Sequence, residues 1–197
     1  MNTRILGLIG ILTSPFLAVD FIVNNVFQEY HPNSLSGVFS LIYMTGWLGC
    51  IVALNYSKAS GHRRSGRMIL IVQMCMLLLA EGWNVYTIID PAASSVLYRV
   101  LDAFWPISNC FMIVTGLTII NAKVLKGWQR FVPLIAGLWL PISILISIIV
   151  GKGSIATILT SGFYSSIAWF LLGLSVYTCA NGSVSFKTTG AYAYQSI

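Results

Sequence analysis

Six long apolar runs, separated by short polar segments, constrain what this chain can fold into. A helix needs about 20 apolar residues to cross a hydrocarbon core of about 30 Å, and each run has about that length. Only 8% of the 197 residues are charged, whereas about 25% is typical of a soluble domain. We therefore predict an all-α integral membrane protein, a single six-helix transmembrane bundle with spans at residues 5–26, 35–56, 68–89, 100–120, 131–150 and 155–180.

The positions of the cations predict the orientation of the bundle, because Lys and Arg accumulate in cytoplasmic loops. If the chain crosses six times, one side carries most of the 11 cations and the other carries only Arg99 and Lys152. We therefore expect both termini in the cytoplasm, the protein in the plasma membrane and residues 181–197 as a flexible polar tail. The cytoplasmic set is Arg4, Lys58, Arg63, Arg64, Arg67, Lys123, Lys126, Arg130 and Lys187.

Two of these basic regions allow a second interpretation. The first apolar run follows Arg4, as the apolar core of a secretory signal follows a cation. Its length and the presence of Pro15 and Asp20 favour a retained helix instead. The loop from Lys58 to Arg67 is explained by topology alone, and recognition of anionic lipid headgroups is the alternative.

Composition also excludes several classes of protein and site. A net charge of +6 spread over 197 residues is too dilute for a nucleic-acid-binding face. The four cysteines lie inside apolar runs without a C-x-x-C pair, so neither a disulfide framework nor a metal site is favoured. Both histidines, His31 and His62, fall in loops, which removes haem, zinc and Ser-His chemistry at membrane depth. We expect no cofactor.

Acidic residues inside three spans are the main indication of a site. A charge at the centre of a membrane helix costs about 2.5 to 3.5 kcal/mol, so such residues usually face protein or water. Each acid has an amide partner at helical spacing on its own helix face, and Trp83 and Tyr86 flank the face of Glu81. The three sets are Asp20 with Asn24, Glu81 with Trp83, Asn84 and Tyr86, and Asp102 with Trp105 and Asn109.

If these faces converge, they line an acidic, aromatic-walled cavity that is open to the extracytoplasmic side. Glu81 is the first candidate in this set, and we expect its carboxylate to hold and release a proton. The alternative is structural, because Asn and Asp also join membrane helices by hydrogen bonds and Trp and Tyr form interfacial belts. Tyr43, Thr45, Ser161, Tyr164 and Ser165 have suitable depths to complete the cavity.

Prolines and glycines predict how the helices bend and pack. Pro15, Pro106 and Pro141 lie inside spans, where each removes a backbone hydrogen bond. Small residues permit close approach of two membrane helices. The glycines that we expect at such contacts are Gly7, Gly10, Gly46, Gly49, Gly162 and Gly173.

Three functions fit this sequence. The preferred hypothesis is a non-catalytic protein that binds a small polar or cationic ligand from the extracytoplasmic side and transports it with proton coupling. The second is a scaffold or accessory subunit that docks a larger membrane-protein partner. The third is an intramembrane enzyme that uses its carboxylates, although the chain lacks a closely spaced acidic motif for a divalent metal. In each case the surrounding partners are membrane lipids, and no nucleic acid is expected.

Overall fold

The computed structural model describes residues 2–26, 34–151 and 154–182. Within these residues the chain forms seven α-helices and one 3-10 turn, and no strand. The helices are α1 Thr3–Thr13, α2 Phe16–Val26, α3 Ser34–Tyr56, α4 Arg64–Ile89, α5 Val96–Ala122, α6 Val132–Val150 and α7 Ile155–Gly182, and the 3-10 turn Gly127–Phe131 precedes α6.

The described helices provide six segments that are long and apolar enough to span a membrane, as the sequence predicts. Most helices extend beyond the predicted bounds, because the apolar run is shorter than the helix that contains it. Helix α4, for example, begins four residues before the predicted span and includes Arg64 and Arg67. Of the predicted polar tail, residues 181–182 continue α7 and residues 183–197 lie outside the described part of the chain.

The first span consists of two helices, because Pro15 interrupts it. Proline has no N–H to donate to the carbonyl oxygen four residues earlier, which here belongs to Ile11. The hydroxyl of Ser14 donates to that oxygen at 2.8 Å and replaces the missing bond. Pro106 and Pro141 instead lie within continuous helices, α5 and α6. Only one of the three predicted prolines therefore divides its span.

Local sequence accounts for several helix ends. The side chains of Asn2 and Ser95 accept hydrogen bonds from the backbone N–H groups of Arg4 and Tyr98, and so cap α1 and α5. Helix α5 ends at Lys123, whose backbone is left-handed with φ of 55°. These signals set the ends of the helices, whereas the interiors are set by apolar length.

The helices pack as a ring in chain order. Helices α1 and α2 both pack against α3 and α7, and α3 to α6 each pack against the next helix in the sequence. Contact between α3 and α7 crosses the inside of the ring. The spans are therefore arranged so that α3 is the common neighbour of α2, which carries Asp20, and α4, which carries Glu81.

The interior combines aliphatic side chains with a few large aromatic ones, and the outer surface is apolar. Trp47 and Trp139 are each only 1% exposed and lie among rings from other helices. Large aliphatic side chains such as Ile148 and Ile155, both 75% exposed, cover the outside. In water this surface would be costly, and it is the surface that lipid chains require. The structure thus has the composition and shape of a membrane helical bundle.

Candidate functional site

Glu81 is the centre of a polar cluster between α3 and α4. Asn84 lies one helical turn after Glu81 and donates Nδ2 to Glu81 Oε2 at 3.2 Å. Thr45 of α3 donates its hydroxyl to Glu81 Oε1 at 3.1 Å. Both carboxylate oxygens therefore accept one hydrogen bond from the protein. We call Thr45, Glu81 and Asn84 the Glu81 cluster.

The Glu81 cluster extends from the surface of the bundle into its core. Thr45 is exposed, Glu81 is partly buried and Asn84 is fully buried at 0% exposure. Asn84 Nδ2 also lies 3.2 Å from Met44 Sδ, while Asn84 Oδ1 has no hydrogen-bond partner within the described residues. An unsatisfied amide oxygen in a core costs about 1 to 3 kcal/mol. This oxygen is therefore a position where a donor from a ligand would be stabilising.

The predicted aromatic side chains of α4 lie on a different face, toward α5. The ring of Tyr98 lies 5.6 Å from the ring of Trp83 and 5.7 Å from that of Tyr86. The Tyr98 hydroxyl is 3.1 Å from Thr87 Oγ1, which fixes the ring between the two helices. The sequence interpretation missed Tyr98. The signal that could have identified Tyr98 was its position in the first turn of α5, beside the end of α4.

The three residues predicted to share a face of α5 differ in their burial. Asp102 is exposed, whereas Asn109 is fully buried and donates Nδ2 to the carbonyl oxygen of Trp105 at 2.9 Å. The Trp105 ring contacts Trp139 of α6 at a centroid distance of 5.7 Å. Pro106 lies between Asp102 and Asn109 and cannot donate to the Asp102 carbonyl, but α5 is continuous across it.

Asp20 is buried at 6% exposure on α2. Helix α2 packs mainly on α3 and α7, and α4 packs mainly on α3 and α5. The acids thus approach α3 from different helices. Asn24 lies in α2, but its side chain is outside the described part of the structure.

An aromatic cluster at the centre of the bundle was not anticipated. The Trp169 ring of α7 lies 5.3 Å from Tyr43, 5.2 Å from Trp47 and 5.8 Å from Trp139. Trp139 Nε1 donates to the carbonyl oxygen of Ser161 at 2.8 Å. These residues come from three helices, and only Tyr43 and Trp47, four residues apart on α3, are connected by helical spacing. Their ring contacts explain why α3, α6 and α7 meet inside the ring of helices.

The cysteines provide no bridge between the described helices. All four are thiols: Cys50 is buried, Cys75 and Cys110 are exposed and Cys179 is intermediate. Within the described residues, His, Cys, Asp and Glu form no group of three that could hold a metal ion. The chemistry that the described site offers is therefore hydrogen bonding and charge at the Glu81 cluster.

Comparison with protein-family models, curated proteins and solved structures found no match to this chain. Function is therefore argued below from the geometry of the site.

Proposed function

We propose that this protein binds a small cationic or polar ligand with N–H donors at the Glu81 cluster. The observation that carries the proposal is the buried Oδ1 of Asn84, which has no partner in the described chain and lies beside a carboxylate. A bound donor would satisfy this oxygen, and a positive charge would compensate the carboxylate at membrane depth.

The hydrogen-bond inventory supports a ligand with more than one N–H group. A carboxylate has about four acceptor positions, and the protein supplies one donor to each oxygen of Glu81. A primary ammonium ion could therefore donate to Glu81 and to Asn84 Oδ1 together. A quaternary ammonium ion has no N–H and could offer charge alone. Selectivity for primary over quaternary ions is thus the chemical signature of the proposed site.

The proposed direction of access is the extracytoplasmic side, which follows from the distribution of cations and not from the cluster itself. We further propose that the ligand and a proton compete for Glu81 and that this exchange couples transport to the proton gradient. A protonated carboxyl is neutral and cannot attract a cation. Ligand affinity is therefore expected to fall as the pH is lowered.

Replacing Glu81 with Gln tests the binding step, because the amide keeps the shape of the side chain and removes its charge. The thermal unfolding temperature of the purified full chain is measured in detergent with increasing methylammonium or tetramethylammonium. A ligand that binds the folded state raises this temperature. We expect methylammonium to raise it in the wild type, tetramethylammonium to raise it less, and the shift by methylammonium to disappear in Glu81→Gln.

Asp90→Asn is the matched control, since it removes the same charge from an exposed position at the end of α4. It should retain the methylammonium shift, and that shift should weaken at acid pH. Equal shifts in wild type and Glu81→Gln would contradict the proposal. Absence of any shift with either ion would also contradict it and would favour the accessory-subunit function.

A further inference from the structure

The loop between α3 and α4 forms a cavity with a strongly basic lining. The cavity has a volume of about 570 Å³, which is within the range of small-molecule sites. A second cavity of about 580 Å³ adjoins it and shares Ser60 to Arg63 of the loop. The basic residues that line the first cavity are Lys58, His62, Arg63, Arg64 and Arg67.

The loop backbone is folded against the bundle, which fixes where the side chains of its cations begin around the cavity. The backbone N–H of Ala59 donates to the carbonyl oxygen of Leu54 at 2.9 Å, and that of Gly61 donates to Lys58 at 2.8 Å. Ala59 is fully buried and Ser60 is 6% exposed. A loop that served only to mark the cytoplasmic side would not need this order, because the topology signal depends on charge alone.

The positive charge of the cavity has no compensating carboxylate in its lining. The described acids, Asp20, Glu81, Asp90 and Asp102, are all absent from the lining of both cavities. The first turn of α4 adds partial positive charge, because its cap residue Arg63 makes no side-chain hydrogen bond to the helix. Four cationic side chains therefore surround the same space without a carboxylate in the lining.

We infer that this cavity binds a phosphate-bearing anion. Arginine guanidinium groups donate two parallel hydrogen bonds to phosphate, and the N–H groups of a helix N-terminus donate to the same ligand. The loop lies at the end of two membrane-spanning helices, which is the depth of lipid headgroups. An anionic phospholipid headgroup is the source that this position favours, and a soluble phosphate compound would use the same contacts.

The experiment compares the affinity of the purified full chain for three probes by calorimetry in an uncharged detergent. The probes are short-chain phosphatidic acid, short-chain phosphatidylcholine and inorganic phosphate. We expect phosphatidic acid to bind more tightly than phosphatidylcholine. Arg64→Gln/Arg67→Gln should weaken phosphatidic acid binding roughly 30-fold, since each protein cation near a lipid headgroup contributes about a factor of five to the affinity. If inorganic phosphate competes with phosphatidic acid, the ligand is a soluble phosphate compound. If it does not compete, the ligand is the lipid.

Lys123→Gln/Lys126→Gln is the matched control, because it removes two charges near the same end of the bundle but outside the cavity lining. It should change the affinity much less than the arginine pair does. Equal losses of affinity in the two double variants would overturn the inference. Failure of both phosphatidic acid and inorganic phosphate to bind would also overturn it. The arginine variant should also lose most of the salt dependence of binding, which a general loss of folding would not selectively remove.

Discussion

Gln73 uses both ends of its side-chain amide to connect two helices. It is fully buried at 0% exposure in the middle of α4. Its Nε2 donates to the carbonyl oxygen of Ser108 at 3.1 Å, and Thr115 donates its hydroxyl to Gln73 Oε1 at 3.2 Å. Both partners belong to α5. This is the structural use of polar residues in membrane helices, and it differs from Asn84, whose amide is only half satisfied.

Gln73→Met should therefore destabilise the fold modestly. The substitution keeps the volume and removes two interhelical hydrogen bonds, each of which contributes about 0.6 kcal/mol on average in a membrane protein. We expect the free energy of unfolding in mixed micelles to fall by about 1 kcal/mol. Thr118→Val is the control, since the Thr118 hydroxyl is exposed and bonds only within α5. An equal effect of the two variants would show that the Gln73 bridge is not stabilising.

At the scale of elements, glycine contacts determine how closely α5 and α6 approach. A Cβ built on Gly137 would lie 2.6 Å from the backbone N of Ile113 and 2.7 Å from the carbonyl carbon of Met112. Backbone atoms cannot move aside as a flexible side chain can. By contrast, a Cβ on Gly49 of α3 would meet only the side chain of Leu6, at 3.5 Å. The predicted role of small residues in packing thus depends on the individual glycine.

Gly137→Ala is expected to force α5 and α6 apart and to cost about 1 to 3 kcal/mol, the usual cost of overpacking. Gly49→Ala should be neutral or stabilising by up to about 1 kcal/mol, because alanine favours helix and the added methyl has room. Thermal unfolding of both variants in the same detergent provides the comparison. Identical unfolding temperatures would mean that the α5–α6 contact is looser than described.

At the scale of the whole molecule, charge is divided between the two ends of the bundle. The loop before α4 and the segment before α6 carry Lys58, Arg63, Arg64, Lys126 and Arg130, and the loop before α5 carries Asp90. The two basic cavities lie at the first end. By the rule that cations remain inside, we propose that this end faces the cytoplasm. The proposed orientation therefore places the phosphate site and the entrance to the Glu81 cluster on opposite sides of the membrane.

Single cysteines test this orientation in a variant whose four native cysteines are replaced. Ser94 and Ser65 are both exposed and lie at opposite ends of the bundle. We expect Ser94→Cys to react with a membrane-impermeant maleimide in intact cells, and Ser65→Cys to react only after permeabilisation. The reverse pattern of labelling would invert the proposed topology and place the basic cavity outside.

The sequence alone determined the number, order and approximate position of the apolar helices. Apolar length is a local property, and Pro15 or Ser95 acts on the residues beside it. The same reasoning explains why the contact between Glu81 and Asn84 could be predicted, since residues three apart on one helix are neighbours. The function and the orientation remain predictions that rest on the charge pattern and on the cluster.

Tertiary structure alone decided which faces of the helices turn inward. In a soluble helix the apolar side marks the core, but in a membrane both the lipid and the core are apolar, so this signal disappears. Asp102 therefore lies exposed although its spacing matched that of the buried Asn109. The aromatic cluster around Trp169 likewise depends on side chains from separate segments. Only packing brings such residues together, because their contacts are set by neighbours that are distant in the chain.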